Sequence, residues 1–272
     1  DTEVILHLYE EFGSDCLLYF SGMFAFAIWD DHKKELFVAR DKTGIKPLYY
    51  TQTKNFLVFG SEMKVLMQHP EVDRKINLNS LNQYLTYEYV PTPGTILQDI
   101  FRLEPGHFFK HSAAGFKKCK YWQPDMRGSE TNNILNEMEE KEKLYATLEA
   151  AVKEELVSDV PVGVLLSGGL DSSTIAALMV RNTNKQINSF SISFNESSFD
   201  ESHYARKVAN HLNLKHHEMI VDSQMTLDLI PNLADYLDEP FGDSSFIPTF
   251  FLSRFASQHL KVVLGRDGSD EL

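Results

Sequence analysis

Hydrophobic positions follow two different rhythms along this chain. Val4, Ile5, Leu8, Tyr9 and Phe12 recur at helical spacing and predict an opening amphipathic helix. The apolar runs then shorten to residues 20–29, 36–39, 48–50 and 56–59, with polar turns at 30–34 and 51–55. Short aromatic and branched runs at hairpin spacing predict antiparallel sheet. Residues 62–68 and 78–85 read as helices against it, and 105–118 as a late hairpin. The first part is therefore an α+β unit over 1–122.

Residues 123–133 carry proline and glycine without apolar period, which marks a linker. From 134 to 272 helix and strand alternate. Helices are predicted over 134–158, 174–181, 201–212, 225–237 and 248–258, and strands over 162–166, 187–194, 216–221 and 260–264. That order predicts an α/β unit, a parallel sheet with helices on both faces. Ligands in such sheets bind beyond the carboxyl ends of the strands. Three loops are expected there: SGGLDSS (167–173), DEPFGDSS (238–245) and GRDGSDE (265–271). The last two are rich in carboxylates, which suits magnesium and a bound amine. His216 and His217 are neighbours on a strand, so they face opposite ways and are not read as a metal pair.

Composition narrows the class. Hydrophobic residues at 43% and charged residues at 24% fit a globular protein, and 272 residues suffice for one large or two ordinary domains. A net charge of −13 argues against nucleic acid as a partner. No apolar run approaches the length that crosses a bilayer. Two cysteines make no disulfide framework and fit a reducing, cytoplasmic setting. The chain opens on Asp1 and closes on a glycine- and acid-rich stretch where a helix should begin. It is expected to be an internal piece of a longer protein.

The strongest chemical signal is the loop after the strand at 162–166. Adjacent Gly168 and Gly169 admit positive φ and close ligand approach. The N–H groups opening the next helix favour an anion, and Ser167, Ser172 and Ser173 add hydroxyls. Asp171 would repel phosphate unless a divalent cation lay between them, so it reads as a magnesium ligand. A Walker loop would need a lysine here. The competing reading is an ordinary strand-to-helix turn with Ser and Asp as caps.

SGGLDSS resembles the pyrophosphate-binding loop of ATP pyrophosphatases, which adenylate a carboxylate or carbonyl; asparagine, GMP and NAD synthetases are among them. In the first part, GMFAFAIWD (22–30), ARDKTGIKPLYY (39–50) and FGSEMKVL (59–66) resemble the glutaminase domain of class II glutamine amidotransferases fused to asparagine synthetase. YVPTPGTI followed by RLEPGH (89–107) resembles the end of that domain. The resemblance implies an Ntn-hydrolase-like first part, a PP-loop (HUP-like) second part, and a face at 22–30 lining a route for ammonia.

Carried over residue by residue, the family implies that Leu165, Ile192 and Gly265 hold adenine and ribose. Ser167, Gly168, Gly169, Asp171, Ser172 and Ser173 hold the pyrophosphate of ATP. Asp171 and Asp270 hold magnesium, and Asp267 governs attack of ammonia on the acyl-adenylate. Arg266 stands where the family has a small residue against ATP. Asp1 matches the aspartate that binds the α-amine of glutamine. The family's nucleophile is an N-terminal cysteine, a place that neither Cys16 nor Cys119 holds. It is expected upstream of Asp1, with Cys16 a buried small hydrophobe and Cys119 without catalytic role. The implied substrates are glutamine, aspartate and ATP, and the family reading allows a homodimer. An acceptor other than aspartate, or an inactive nucleotide-binding scaffold, stays open at this point.

Overall fold

The opening apolar stripe forms helix α1 (Thr2–Phe12), which runs into a 3₁₀ turn at Gly13–Leu18. The computed structural model describes residues 2–125, 136–195 and 200–265. It divides into two compact units: Asp1–Glu130 with Ala234–Gly242, and Thr131–Leu233 with Asp243–Leu272.

In the first unit, strand β1 (Ala25–Asp30) begins later than the apolar run, because Gly22 at φ +119° breaks the extended backbone. It pairs with β2 (Glu35–Arg40) across the predicted polar turn. Strands β3 (Tyr49–Gln52) and β4 (Leu57–Gly60) form the next hairpin. Two helices follow, α2 (Met63–Leu66) and α3 (Leu78–Tyr87). The Asn77 side chain caps α3 by accepting from the Asn79 and Ser80 N–H groups. Strand β5 (Ile100–Arg102) was not predicted, and β6 (His107–Ser112) with β7 (Gly115–Lys120) is the late hairpin. The strands form two antiparallel sheets, β1-β2-β6-β7 and β4-β3-β5. Val38 and Phe109 of the first pack with Tyr50, Leu48 and Leu103, which fills the space between them. Helix α1 covers the other face through Tyr9, Phe37 and Phe108.

Two motif stretches in this unit are held by their own local contacts. The Asp41 carboxylate is fully buried and accepts the N–H groups of Ile45 (2.9 Å), Lys46 (2.9 Å) and Phe24 (3.2 Å). Arg40 donates to the carbonyls of Lys46, Gly44 and Leu103. This pair holds the loop 41–46, so the ARDKTGIKP motif folds around its own side chains. Phe24 and Phe26 pack against Phe20, and Phe26 against Phe37, as core aromatics.

The second unit opens with α4 (Glu137–Glu155), whose Val152 and Leu148 meet the core while its acidic face lies in solvent. Then come β8 (Val162–Leu165), α5 (Leu170–Asn182), β9 (Asn188–Phe194), α6 (Ser202–His211) and β10 (Lys215–Val221). The single helix predicted over 225–237 is broken. Pro231 has no N–H to continue the ladder, and the stretch divides into α7 (Ser223–Leu229), a 3₁₀ turn at Ile230–Asn232 and α8 (Leu233–Tyr236). Helix α9 (Phe246–Ser257) and β11 (Val262–Leu264) follow. The sheet is parallel, in the order β10-β9-β8-β11. One face packs on α4, α5 and α6; Ile192, Phe194 and Val221 of the other pack on α7 and α9. The chain moves outward in one direction from β8 to β10 and then returns to the other side of β8 with β11. That reversal between β8 and β11 is a topological switch point.

Candidate active site

Strand β8 ends at the switch point and passes straight into Ser167-Gly168-Gly169. Gly168 takes φ +84°, and a Cβ there would meet the Ala205 nitrogen at 2.4 Å and the Tyr204 carbonyl carbon at 2.5 Å. The backbone of α6 therefore packs directly on this glycine, which no other residue allows. Gly169, in extended conformation, is the N-cap of α5, and a Cβ there would have only Ser167 Oγ near it, at 3.5 Å. The side of the loop at Gly169 is open to a ligand.

The loop serines are organised inwardly. Ser167 and Ser172 share a hydrogen bond between hydroxyls (3.0 Å), Ser172 Oγ also accepts from the Ser167 N–H, and the Gly169 N–H donates to Ser167 Oγ. These bonds fix the loop's shape before any ligand binds. Ser173 Oγ is buried and makes no hydrogen bond. A buried hydroxyl without a partner is costly, and Ser173 is not among the residues that border the cavity described next.

A cavity of about 350 Å³, within the range of small-ligand sites, lies beyond the strand ends. Leu165, Ser167, Ser172, Ile192 and Gly265 all border it. These five expected residues come from three different strand ends and converge here. Gly168, Gly169, Asp171 and Ser173 complete the loop and the first turn of α5. Asp1, Arg266, Asp267 and Asp270 lie outside the described residues.

Three features correct or extend the expectation. Asp238 and Glu239 of the acidic loop do not border this cavity; their carboxylates are engaged within the first unit. Ser245 and Thr249, at the far end of that loop and in α9, do border it. Glu201 and Ser191 also line it and were missed. The position of Glu201, where the chain enters α6 after β9, was the available signal. Ser191 belongs to the alternation Ser189, Ser191, Ser193 along β9, three buried hydroxyls on one face.

That face also carries His216, whose Nδ1 lies 2.9 Å from Ser189 Oγ and Nε2 3.2 Å from Ser191 Oγ. Burial pushes the His216 imidazole below its ordinary pKa, against the opposing pull of Glu218. His217 faces the other way and stacks on Phe190 at 5.1 Å. Among the described residues, no three His, Cys, Asp or Glu side chains gather to hold a metal. Magnesium does not require such a cage, since it takes one or two carboxylates with waters and substrate phosphates. Asp171 stands in the first turn of α5 and does not itself border the cavity. Cys16 is buried, with its thiol pushed up to about 11 by desolvation, and Cys119 is half-buried against the same core. A buried Cys16 thiol with a raised pKa is a poor nucleophile.

Comparison with known proteins agrees with this division. Residues 1–122 match the family model for a glutamine amidotransferase domain, and residues 143–272 match the model for asparagine synthase. Along its whole length the chain is similar to glutamine-hydrolysing asparagine synthetases. A Methanocaldococcus jannaschii member is 38% identical over the whole chain, which covers 53% of that protein. A Mycobacterium tuberculosis member is 36% identical, again over the whole chain, with 42% of its length covered. Asparagine synthetase (glutamine-hydrolyzing) 1 of Bacillus subtilis is 32% identical, with 42% covered. The chain thus spans about half the length of these family members. Among the described residues, no helix is long and apolar enough to cross a membrane.

Proposed function

We propose that the chain is part of an enzyme that makes asparagine from aspartate, using ATP and ammonia drawn from glutamine. The observation that carries this reading is the convergence of Leu165, Ser167, Ser172, Ile192 and Gly265 on one cavity at the switch point of a parallel sheet.

In the proposed reaction a β-carboxylate oxygen of aspartate attacks the α-phosphorus of ATP. The bond to the bridging oxygen breaks and pyrophosphate leaves. Ammonia then attacks the acyl carbon, AMP departs with the carboxylate oxygen, and the amide remains. Leu165, Ile192 and Gly265 would hold the nucleoside. The loop N–H groups would receive the departing pyrophosphate, where a fixed array of donors lowers the barrier. Asp171, with Asp270, would hold magnesium, which neutralises charge on the leaving group. Asp267 would take the proton that nitrogen sheds as it bonds to carbon. Asp1 would bind the α-amine of glutamine in the first unit, read as an Ntn-hydrolase-type glutaminase, and the second unit as a PP-loop synthetase. A cytoplasmic location fits the two free cysteines.

The test uses the full-length protein with Mg-ATP, ammonium and a panel of carboxylates. AMP and an amide with aspartate are expected; AMP only with another acid would move the acceptor, and none with any acid would refute the reading. Asp171→Asn is expected to abolish AMP formation while leaving thermal unfolding unchanged. Retained AMP formation would remove magnesium from Asp171.

A further inference from the structure

Strand alternation puts Ser189, Ser191 and Ser193 of β9 on one face, all three buried. The register of β10 sets His216 opposite Ser189, and its ring reaches both of the first two hydroxyls. Nδ1 lies 2.9 Å from Ser189 Oγ and Nε2 3.2 Å from Ser191 Oγ. Among the described residues, neither hydroxyl makes another hydrogen bond. The two serines differ in what lies beyond them. Ser189 is wholly enclosed, whereas Ser191 borders the cavity beside Ile192. All of these residues, and α6 above them, belong to the second unit.

A neutral imidazole donates from one nitrogen and accepts at the other, so the ring sets the two hydroxyls in opposite senses. Glu218 decides which sense. Its Oε2 lies 3.9 Å from Nε2, and Arg206 of α6 holds the carboxylate by donating to Oε1 at 3.0 Å and Oε2 at 3.2 Å. A negative charge beside Nε2 favours a proton on that nitrogen over a lone pair. Nε2–H then donates to Ser191 Oγ, and Nδ1 accepts from the Ser189 O–H. The opposite tautomer would spend the Ser191 proton on the ring and show the cavity only an acceptor. We infer that His216 is a positioning residue: by donating to Ser191 it leaves the Ser191 O–H to donate to an acceptor atom of the ligand in the cavity. That this acceptor belongs to the nucleoside of ATP rests on the proposed function; the direction of the hydroxyl does not.

The experiment takes the full-length protein with ¹⁵N-labelled histidines, and Mg-ATP as the probe. Long-range ¹H–¹⁵N spectra, assigned with His216→Gln, are expected to show the His216 proton on Nε2. A proton on Nδ1 would overturn the inference whatever the ligand is. Ser191→Ala and His216→Asn are each expected to weaken Mg-ATP binding by about fivefold, the scale of one hydrogen bond. The Asn amide reaches only toward Ser189 and vacates the Nε2 position, whereas the longer Gln amide can donate there and should restore most of the affinity. The double variant Ser191→Ala/His216→Asn should bind no more weakly than Ser191→Ala, because the ring acts through that hydroxyl. An additive loss would make His216 merely structural and overturn the claim, as would unchanged binding in Ser191→Ala. Should His216→Asn fail to fold, the spectra and Ser191→Ala still decide. A parent that does not bind Mg-ATP would refute the proposed function and the nucleoside assignment with it, while the tautomer would still judge the direction of the hydroxyl.

Discussion

Gly168 and Asp41 are the two residues whose local geometry the rest of each unit is fitted around. A side chain at Gly168 would need the left-handed region and would sit 2.4 Å from a backbone nitrogen of α6. Gly168→Ala is expected to cost about 1–3 kcal/mol in denaturant unfolding and to weaken ATP binding; full stability with full binding would contradict the close packing of α6. Asp41 accepts three backbone N–H groups with no solvent access. Asp41→Asn turns one oxygen into a donor facing a donor, and should lose about 1–3 kcal/mol, read as a lower denaturant midpoint at unchanged slope. At this scale Gly168 was legible, because a tight turn after a buried strand calls for a residue free to take positive φ; Gly169 is extended and needs no such freedom. The mutual hydrogen bond of Ser167 and Ser172 was not legible, since the same hydroxyls read equally well as ligand donors. Which partner a serine takes depends on a turn that sequence spacing does not specify.

Strands β9 and β10 show what an element adds. Their register places Ser189 opposite His216 and Ser191 opposite Glu218, so His216 lies between two serine hydroxyls on the face covered by α6. His217, on the other face, is also held below its usual pKa, first by burial and then by His259 and Lys215. Both imidazoles stay neutral in the fold at a pH where the unfolded chain, titrating near 6.5, binds protons. The unfolded state therefore takes up more protons, and stability rises with pH across that range. The melting temperature is expected to fall as pH drops below about 6.5, with a shallower fall in His216→Gln. An identical pH slope in that variant would remove His216 from the account. Most elements were legible because their apolar periods are long. Helix 225–237 failed on Pro231, and β5 was missed because three residues between two loop motifs carry no period to read. The helix predicted over 62–68 shrank to Met63–Leu66.

At the scale of the whole chain, the alternation of elements predicted a parallel sheet, and the loop motif predicted where a ligand would meet it. The acidic loop was misplaced for a physical reason. Carboxylates near a candidate metal site look like ligands, yet Glu239 finds Arg102, 137 residues away in sequence, and no local pattern encodes a contact of that range. In the proposed function the site residues share chemistry at one phosphorus atom, and that chemistry would leave a mark. The most direct measurement follows the full-length protein turning over aspartate labelled with ¹⁸O in its β-carboxylate, with Mg-ATP and ammonium. An acyl-adenylate requires one labelled oxygen to leave in AMP for each asparagine formed. AMP without label, or label appearing in orthophosphate with ADP as the second product, would contradict the account.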